Sequence, residues 1–263
     1  MKVVTVINDE NHFGFSLLKL SCILNNLDLV VLVSSAKDFK SNRIKDDLLK
    51  DYLDKKGNEE EIILFTDGND AIFLATEEEV LTKYRKAGKE LLFSSETSCW
   101  PDTSLAGQYP DTGPSPYKFL NSGGFIGSAG TIRELMEDDS FDIGNFKKSN
   151  QYVWTKRLFR NPERIGLDTG CEIFHTFSPE IGNNYLPKGL DVNYLPYYIC
   201  MKKWFGSNFL VQDGRLFSKI TESWPCHAHF NGYSKWLIDH DIIDMVFSSV
   251  PDAKPAQYLY EEN

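Results

Sequence analysis

The sequence predicts an α/β fold: a Rossmann-like sandwich on a mixed sheet. Three observations predict it. Strand and helix patterns alternate over the first hundred residues. The strands are apolar on consecutive positions, as in sheets covered on both faces. After Cys99 the rhythm loosens into a Pro-, Gly- and Asp-rich stretch (100–118), beyond which strands of mixed direction are expected. The 263 residues fit a single domain spanning 1–263, with a nucleotide-type half at 1–100 and a second half at 101–263.

The elements follow in order. Residues 2–8, KVVTVIN, read as a buried strand. From Phe13 to Asn26, Leu17, Leu18, Leu20 and Leu24 recur at helical spacing. Residues 27–35, LDLVVLVSS, read as a second buried strand, and Ser41 to Lys56 as a charged amphipathic helix. Residues 61–66, EIILFT, form a third strand that stops at Asp67-Gly68-Asn69-Asp70. Thr76 before Glu77, Glu78 and Glu79 predicts a helix start, with a capping hydroxyl followed by acids in the first turn. Residues 90–95, ELLFSS, are a fourth strand, and 100–118 a long loop of the kind that often carries function. Helices are expected over Thr131–Glu137 and about Gln151–Phe159, and strands near Ile173, Val192 and Leu210.

Composition excludes several classes. A net charge of −10 and a pI near 5.0 leave no basic excess to displace the counterions of a nucleic acid. No apolar run is long enough to span a bilayer, and the short first run is not a signal peptide, so the sequence by itself points to a cytoplasmic protein. Cys22, Cys99, Cys171, Cys200 and Cys226 are scattered and form no Cys-x-x-Cys. Free buried thiols are the preferred reading, and one disulfide stays open.

Three segments carry chemistry. In FTDGNDAIF (65–73) the two carboxylates are a plain turn or a cation site. An EF-hand is excluded, because the sixth position from Asp67 is Ile72 and not Gly. Ligands of open α/β sheets bind beyond the carboxyl ends of the strands, where Asp67 and Asp70 lie. Two hard oxygen ligands there suit Mg²⁺ or Mn²⁺ bridging to nucleotide phosphates. NSGGFIGSAG (121–130) is neither a dinucleotide fingerprint nor a P-loop. Its paired glycines mean tight packing or a floor for a sugar ring, with Asn121 and Ser122 offering hydrogen bonds. In CHAHFNGYSK (226–235), His227 and His229 alternate and share a strand face. His229, next to the Asn231-Gly232 turn and Lys235, is the better ligand candidate beside a diphosphate.

FTDGNDAIF, LLFSSETSCWPD, QYPD, KFLNSGGFIGSAGTI and CHAHFNGYSK together resemble the glycosyltransferase domain of the procollagen lysyl hydroxylases and the related collagen glycosyltransferases. The resemblance covers roughly residues 60–135 and 220–240. It implies a GT-A fold with Mn²⁺ (Mg²⁺ as the alternative) held by Asp67, Asp70 and His229. It implies a UDP-sugar donor met by Asp67, Asn231, Gly232 and Lys235 at the diphosphate and by Ser122 and Gly123 at the sugar. It also implies Thr5 at the uracil, Lys40 or Arg43 near the nucleotide, and Asn121, Asn150, Trp100 and Asp168 around sugar and acceptor. The implied reaction is retaining transfer of glucose from UDP-glucose to galactosyl-hydroxylysine of collagen-like chains. A galactosyltransferase using UDP-galactose and hydroxylysine, and a non-catalytic sugar- or collagen-binding module, are the alternatives. Family relatives work in the secretory lumen, and a homodimer is left open. One departure is plain: where the family carries aspartates before a Gln, this chain reads Phe146-Lys147-Lys148-Ser149-Asn150-Gln151, with Asp138, Asp139 and Asp142 as substitutes from nearby.

Overall fold

The structure is a computed structural model that describes residues 1–35, 39–138, 140–177 and 195–240. A six-stranded sheet organises the first 170 residues. Its strands are β1 (Lys2–Ile7), β2 (Leu29–Val33), β3 (Ile62–Asp67), β5 (Leu91–Glu96), β6 (Phe119–Ser128) and β7 (Ile165–Leu167), in the order β2-β1-β3-β6-β5-β7. β1 runs parallel to β2 and β3, and β5 parallel to β7, while β6 is antiparallel to both β3 and β5. The sheet is mixed, as expected.

Residues alternate between its two faces with the strand period of two. Val4, Val6, Ile63, Phe65 and Phe125 enter one core, and Val3, Ile7, Leu64 and Ile126 the other. The first core is closed by α2 (Arg43–Lys56), α4 (Ala129–Met136) and α5 (Asn150–Arg160), which supply Leu49, Ile132 and Trp154. The second is closed by α1 (Phe13–Leu24) and α3 (Glu77–Ala87), through Phe15, Leu18 and Val80. Helices on both faces explain why β1 and β3 read as unbroken apolar runs.

β2 departs from expectation. It is an edge strand and only half-buried, with Val33 55% exposed. An apolar run does not reveal whether a strand has one neighbour or two. Thr76 occupies the N-cap of α3, but its side chain makes no capping hydrogen bond, so the acidic first turn favours this helix start without it. The strand expected near Val192 lies outside the described residues.

A second sheet aligns β4 (Ala71–Phe73), β11 (His227–His229) and β8 (Phe174–Thr176) in that order, with β11 antiparallel to β4 and parallel to β8. Its register sets His229 opposite Ala71, one residue past Asp70. α6 (Leu195–Asn208) packs Met201 and Phe205 around Phe177 and Phe230 behind this sheet. A hairpin of β9 (Phe209–Gln212) and β10 (Arg215–Ser218) follows, turned by Asp213-Gly214 at positive φ, as a two-residue Asp-Gly loop requires. The chain then reaches β11 and a short helix, α7 (Lys235–His240). Cys22, Cys99, Cys171 and Cys226 are buried free thiols, in line with the preferred reading. Among the described residues no helix is long and apolar enough to cross a membrane.

Candidate functional site

The site forms where the carboxyl end of β3 meets β11. Asp67 ends β3, and the Gly68–Asp70 turn leads straight into β4. Gly68 passes so close to β1 that an added Cβ would lie 2.4 Å from Ile7 Cγ2, so the turn admits no side chain there. The Phe230 N–H donates to the Asp70 carbonyl at 2.7 Å, which ties β11 to this turn.

Asp67, Asp70 and His229 offer ligand atoms that all lie within 4.8 Å of one another. His229 is buried, and its Nδ1 faces Asn121 Oδ1 at 3.2 Å. That amide oxygen accepts, so Nδ1 carries a proton, and in the neutral imidazole Nε2 holds the lone pair. Nε2 has no hydrogen-bond partner and points between the acids, 3.4 Å from Asp70 Oδ1 and 3.7 Å from Asp67 Oδ2. The outer carboxylate oxygens carry lysines: Lys45 Nζ donates to Asp67 Oδ1 at 2.6 Å, and Lys235 Nζ lies 3.0 Å from Asp70 Oδ2. Burial works against the charge on Asp70, but His229 and Lys235 outweigh it and hold its carboxyl well below the usual range. Burial likewise disfavours a charged His229, and Asp70 and Asp67 reverse this and raise its pKa.

These groups open into a cavity of 410 Å³. Asn121, Ser122 and Gly123 of β6 form one wall, and Asn231, Gly232 and Lys235 another. Asn150 closes a third side and accepts the Ser122 hydroxyl at 3.3 Å through Oδ1. Trp100, 65% exposed, stands at the mouth. Most of the sequence candidates therefore converge on one space. Four do not line it. Thr5 is fully buried and its hydroxyl donates to the Thr66 carbonyl. Lys40 is exposed, and Arg43 leans on Asp46 at 3.8 Å. Asp168 is buried, with its carboxylate accepting the backbone N–H groups of Glu172, Ile173 and Phe174 at 2.7–3.0 Å. Those three donors would be orphaned in Asp168→Ala. That variant should lose on the order of 2–3 kcal/mol of stability in urea unfolding, and an unchanged midpoint would refute the assignment.

The structure adds residues that the sequence reading missed. Glu96 ends β5 inside the cavity, where Gln151 Nε2 and Asn231 Nδ2 donate to its two oxygens at 2.6 and 3.1 Å. Burial, opposed by these hydrogen bonds, pushes its carboxyl up to about 7. The strand-end rule that singled out Asp67 applied equally to Glu96. Lys45, in the first turn of α2, carried no such signal. The substitute acids are elsewhere: Asp138 pairs with Arg160 at 2.9 Å, Asp142 accepts the Gly144 N–H, and neither lines the cavity, while Asp139 lies outside the described residues. In their place Lys147 and Lys148 line a neighbouring groove that shares Trp100, Asn42 and Ser149 with the cavity.

A mixed nucleotide-type sheet, with an acidic pair ending β3 and a histidine brought beside it by a late strand, defines the GT-A class of fold. The family model described as the PLOD GT domain matches residues 1–194, and the chain belongs to that family. An uncharacterized protein of Acanthamoeba polyphaga mimivirus is 32% identical over 181 residues, which are 68% of this chain and 33% of that protein. The rat (Rattus norvegicus) multifunctional procollagen lysine hydroxylase and glycosyltransferase is 46% identical over 136 residues, 49% of this chain and 18% of that protein. The chain thus spans a third or less of these relatives. Among solved structures, a glycosyltransferase involved in the glycosylation of the major capsid of PBCV-1 aligns over 89% of this chain and 96% of its own, with a TM-score of 0.49 and 9% identity.

Proposed function

We propose that the chain transfers glucose from UDP-glucose to galactosyl-hydroxylysine of collagen-like polypeptides, with retention at the anomeric carbon. The observation that carries this is the single cavity in which Asp67, Asp70 and His229 meet Lys235, Asn231 and the Asn121–Gly123 wall. Two carboxylates and an unpartnered, buried imidazole nitrogen form a hard oxygen and nitrogen donor set that fits Mn²⁺, or Mg²⁺ in its place. Bound there, the ion supplies Lewis-acid stabilisation of charge on the departing diphosphate.

The chain's own groups do the rest. The Lys235 ammonium, half exposed at the cavity wall, meets the same developing charge. Asn121, held by His229 and the Gly123 N–H, is fixed in orientation and presents its amide to the donor sugar with Ser122. Trp100 offers an apolar face to the acceptor at the mouth. The bond from the anomeric carbon to the diphosphate oxygen breaks as the acceptor oxygen bonds to that carbon from the same face. The hydroxyl proton passes to the leaving diphosphate oxygen, which balances the exchange.

One observation favours a second reading. Asn150 and Gln151 are neutral where the family's aspartates were expected, and the acid that stands beside Gln151 in the cavity, Glu96, is already engaged by Gln151 and Asn231. That pattern suits a module that binds UDP and metal without turnover. UDP release separates the readings, measured with UDP-glucose and UDP-galactose against bare and galactosylated hydroxylysine peptides. Release only with UDP-glucose and the galactosylated peptide is expected. Release only with UDP-galactose and the bare peptide identifies a galactosyltransferase. Metal-dependent UDP binding without release under any pairing identifies the module.

A further inference from the structure

Each acid of the metal group divides its two oxygens between a lysine and the histidine. Asp67 gives Oδ1 to Lys45 at 2.6 Å and turns Oδ2 toward His229. Asp70 gives Oδ2 to Lys235 at 3.0 Å and turns Oδ1 toward His229. Lys45 is not a casual surface neighbour. It is only 14% exposed, rises from α2 into the cavity, and ends on the acid that terminates β3. Removing an ammonium from water costs several kcal/mol unless a partner offsets it, so Asp67 is what holds Lys45 there.

The charge count follows. Two carboxylates face two ammoniums, so these four charges balance before any cation arrives. His229 as a ligand is neutral. Glu96, the remaining acid of the cavity, is engaged by Gln151 and Asn231. A divalent cation would therefore enter a buried and already balanced site. It would shed much of its hydration while gaining little net attraction. A nucleotide diphosphate brings the negative charge that is missing. With it present, the cation's two charges and the two lysines are all answered.

We infer that Lys45, with Lys235, is a built-in counter-cation that keeps the empty acid pair neutral and so makes divalent-cation binding depend on a nucleoside diphosphate. Cation and diphosphate then enter as a coupled pair, and by linkage each tightens the other by the same factor. Lys45 is a positioning residue in this scheme: it acts through Asp67. The inference rests on the metal reading proposed above.

The test needs no turnover. Free Mn²⁺ is titrated by electron paramagnetic resonance against the whole chain, without and with UDP, in wild type, Lys45→Met and Lys45→Arg. In wild type, UDP should tighten Mn²⁺ by on the order of tenfold or more. Lys45→Met should bind Mn²⁺ alone roughly tenfold more tightly and lose most of the gain from UDP. Lys45→Arg should keep the wild-type pattern. Should Lys45→Met fail to fold, Lys235→Met carries the same test from the more exposed partner. Equal Mn²⁺ affinity of wild type and Lys45→Met without UDP overturns the counter-cation role and leaves the metal site standing. No Mn²⁺ bound by any protein, even with UDP, overturns the metal reading and this inference with it.

Discussion

Asp70→Ala is expected to lose metal-dependent UDP-sugar turnover by at least ~100-fold while the chain still folds. Asp70 is the more buried of the two acids, and it sits between His229 and Lys235. Taking it away removes one hard ligand and leaves the imidazole and the ammonium without their shared counter-charge. Folding survives because the losses can be relieved. Lys235 is half exposed and can turn to water, and His229 can sit neutral against Asn121. The backbone bond from Phe230 to the Asp70 carbonyl is untouched by the change. Asp67→Ala should behave alike in turnover, with the added cost that the buried Lys45 loses its partner. UDP release and thermal unfolding, measured on the same preparations, check both halves. Undiminished turnover in either variant would sink the metal assignment.

How much of this was legible in the sequence follows from which interactions are local. β1, β3 and β5 announced themselves because both of their faces are covered, which demands consecutive apolar residues. β2 carries the same apolar signature at the sheet edge, since its pattern records covered faces and not neighbours. β4 and β7 are three residues each, too short for any periodicity to register, whereas β8, equally short, falls beside the strand expected near Ile173. Asp67 and Asp70 were legible because strand end and carboxylate lie together in sequence. Glu96 stands in the same relation to β5, yet a lone acid after Ser94-Ser95 reads as an ordinary polar strand end. What selects it is Gln151 and Asn231, which lie 55 and 135 residues away. Lys45 is one of several lysines on an amphipathic helix, and only the tertiary approach of α2 to β3 distinguishes it. Asp168 shows the opposite case. Its sequence neighbourhood marked it, but its carboxylate is spent on the N–H groups of its own loop.

Gly123→Ala should abolish the site without removing any ligand. The sequence suggested a floor for a sugar, and the structure supplies a nearer constraint. A Cβ at Gly123 would lie 2.1 Å from His229 Cε1, 2.7 Å from Nδ1 and 3.0 Å from Asn121 Oδ1. Contacts this short cannot be absorbed by small adjustments. The backbone itself has no need of glycine here, because Gly123 is not among the residues at positive φ. The severest conflict is therefore with the imidazole. His229 cannot retreat along the chain, since β11 is pinned between β4 and β8. The ring must rotate, which breaks the Nδ1 bond to Asn121 and swings Nε2 out from between the acids. A displacement of about 1 Å at a reacting centre can cost ~100-fold in rate, and this one exceeds that. Turnover and Mn²⁺ affinity in the presence of UDP should both fall by ~100-fold or more. Gly124→Ala is the matched control. Its Cβ would meet Phe174 at 2.9 Å on the opposite, apolar face, so it should lower the unfolding temperature while the surviving folded protein keeps its Mn²⁺ affinity. Wild-type Mn²⁺ affinity in Gly123→Ala would show that His229 is not held where metal binding needs it, and that the space beside β6 belongs to the sugar instead.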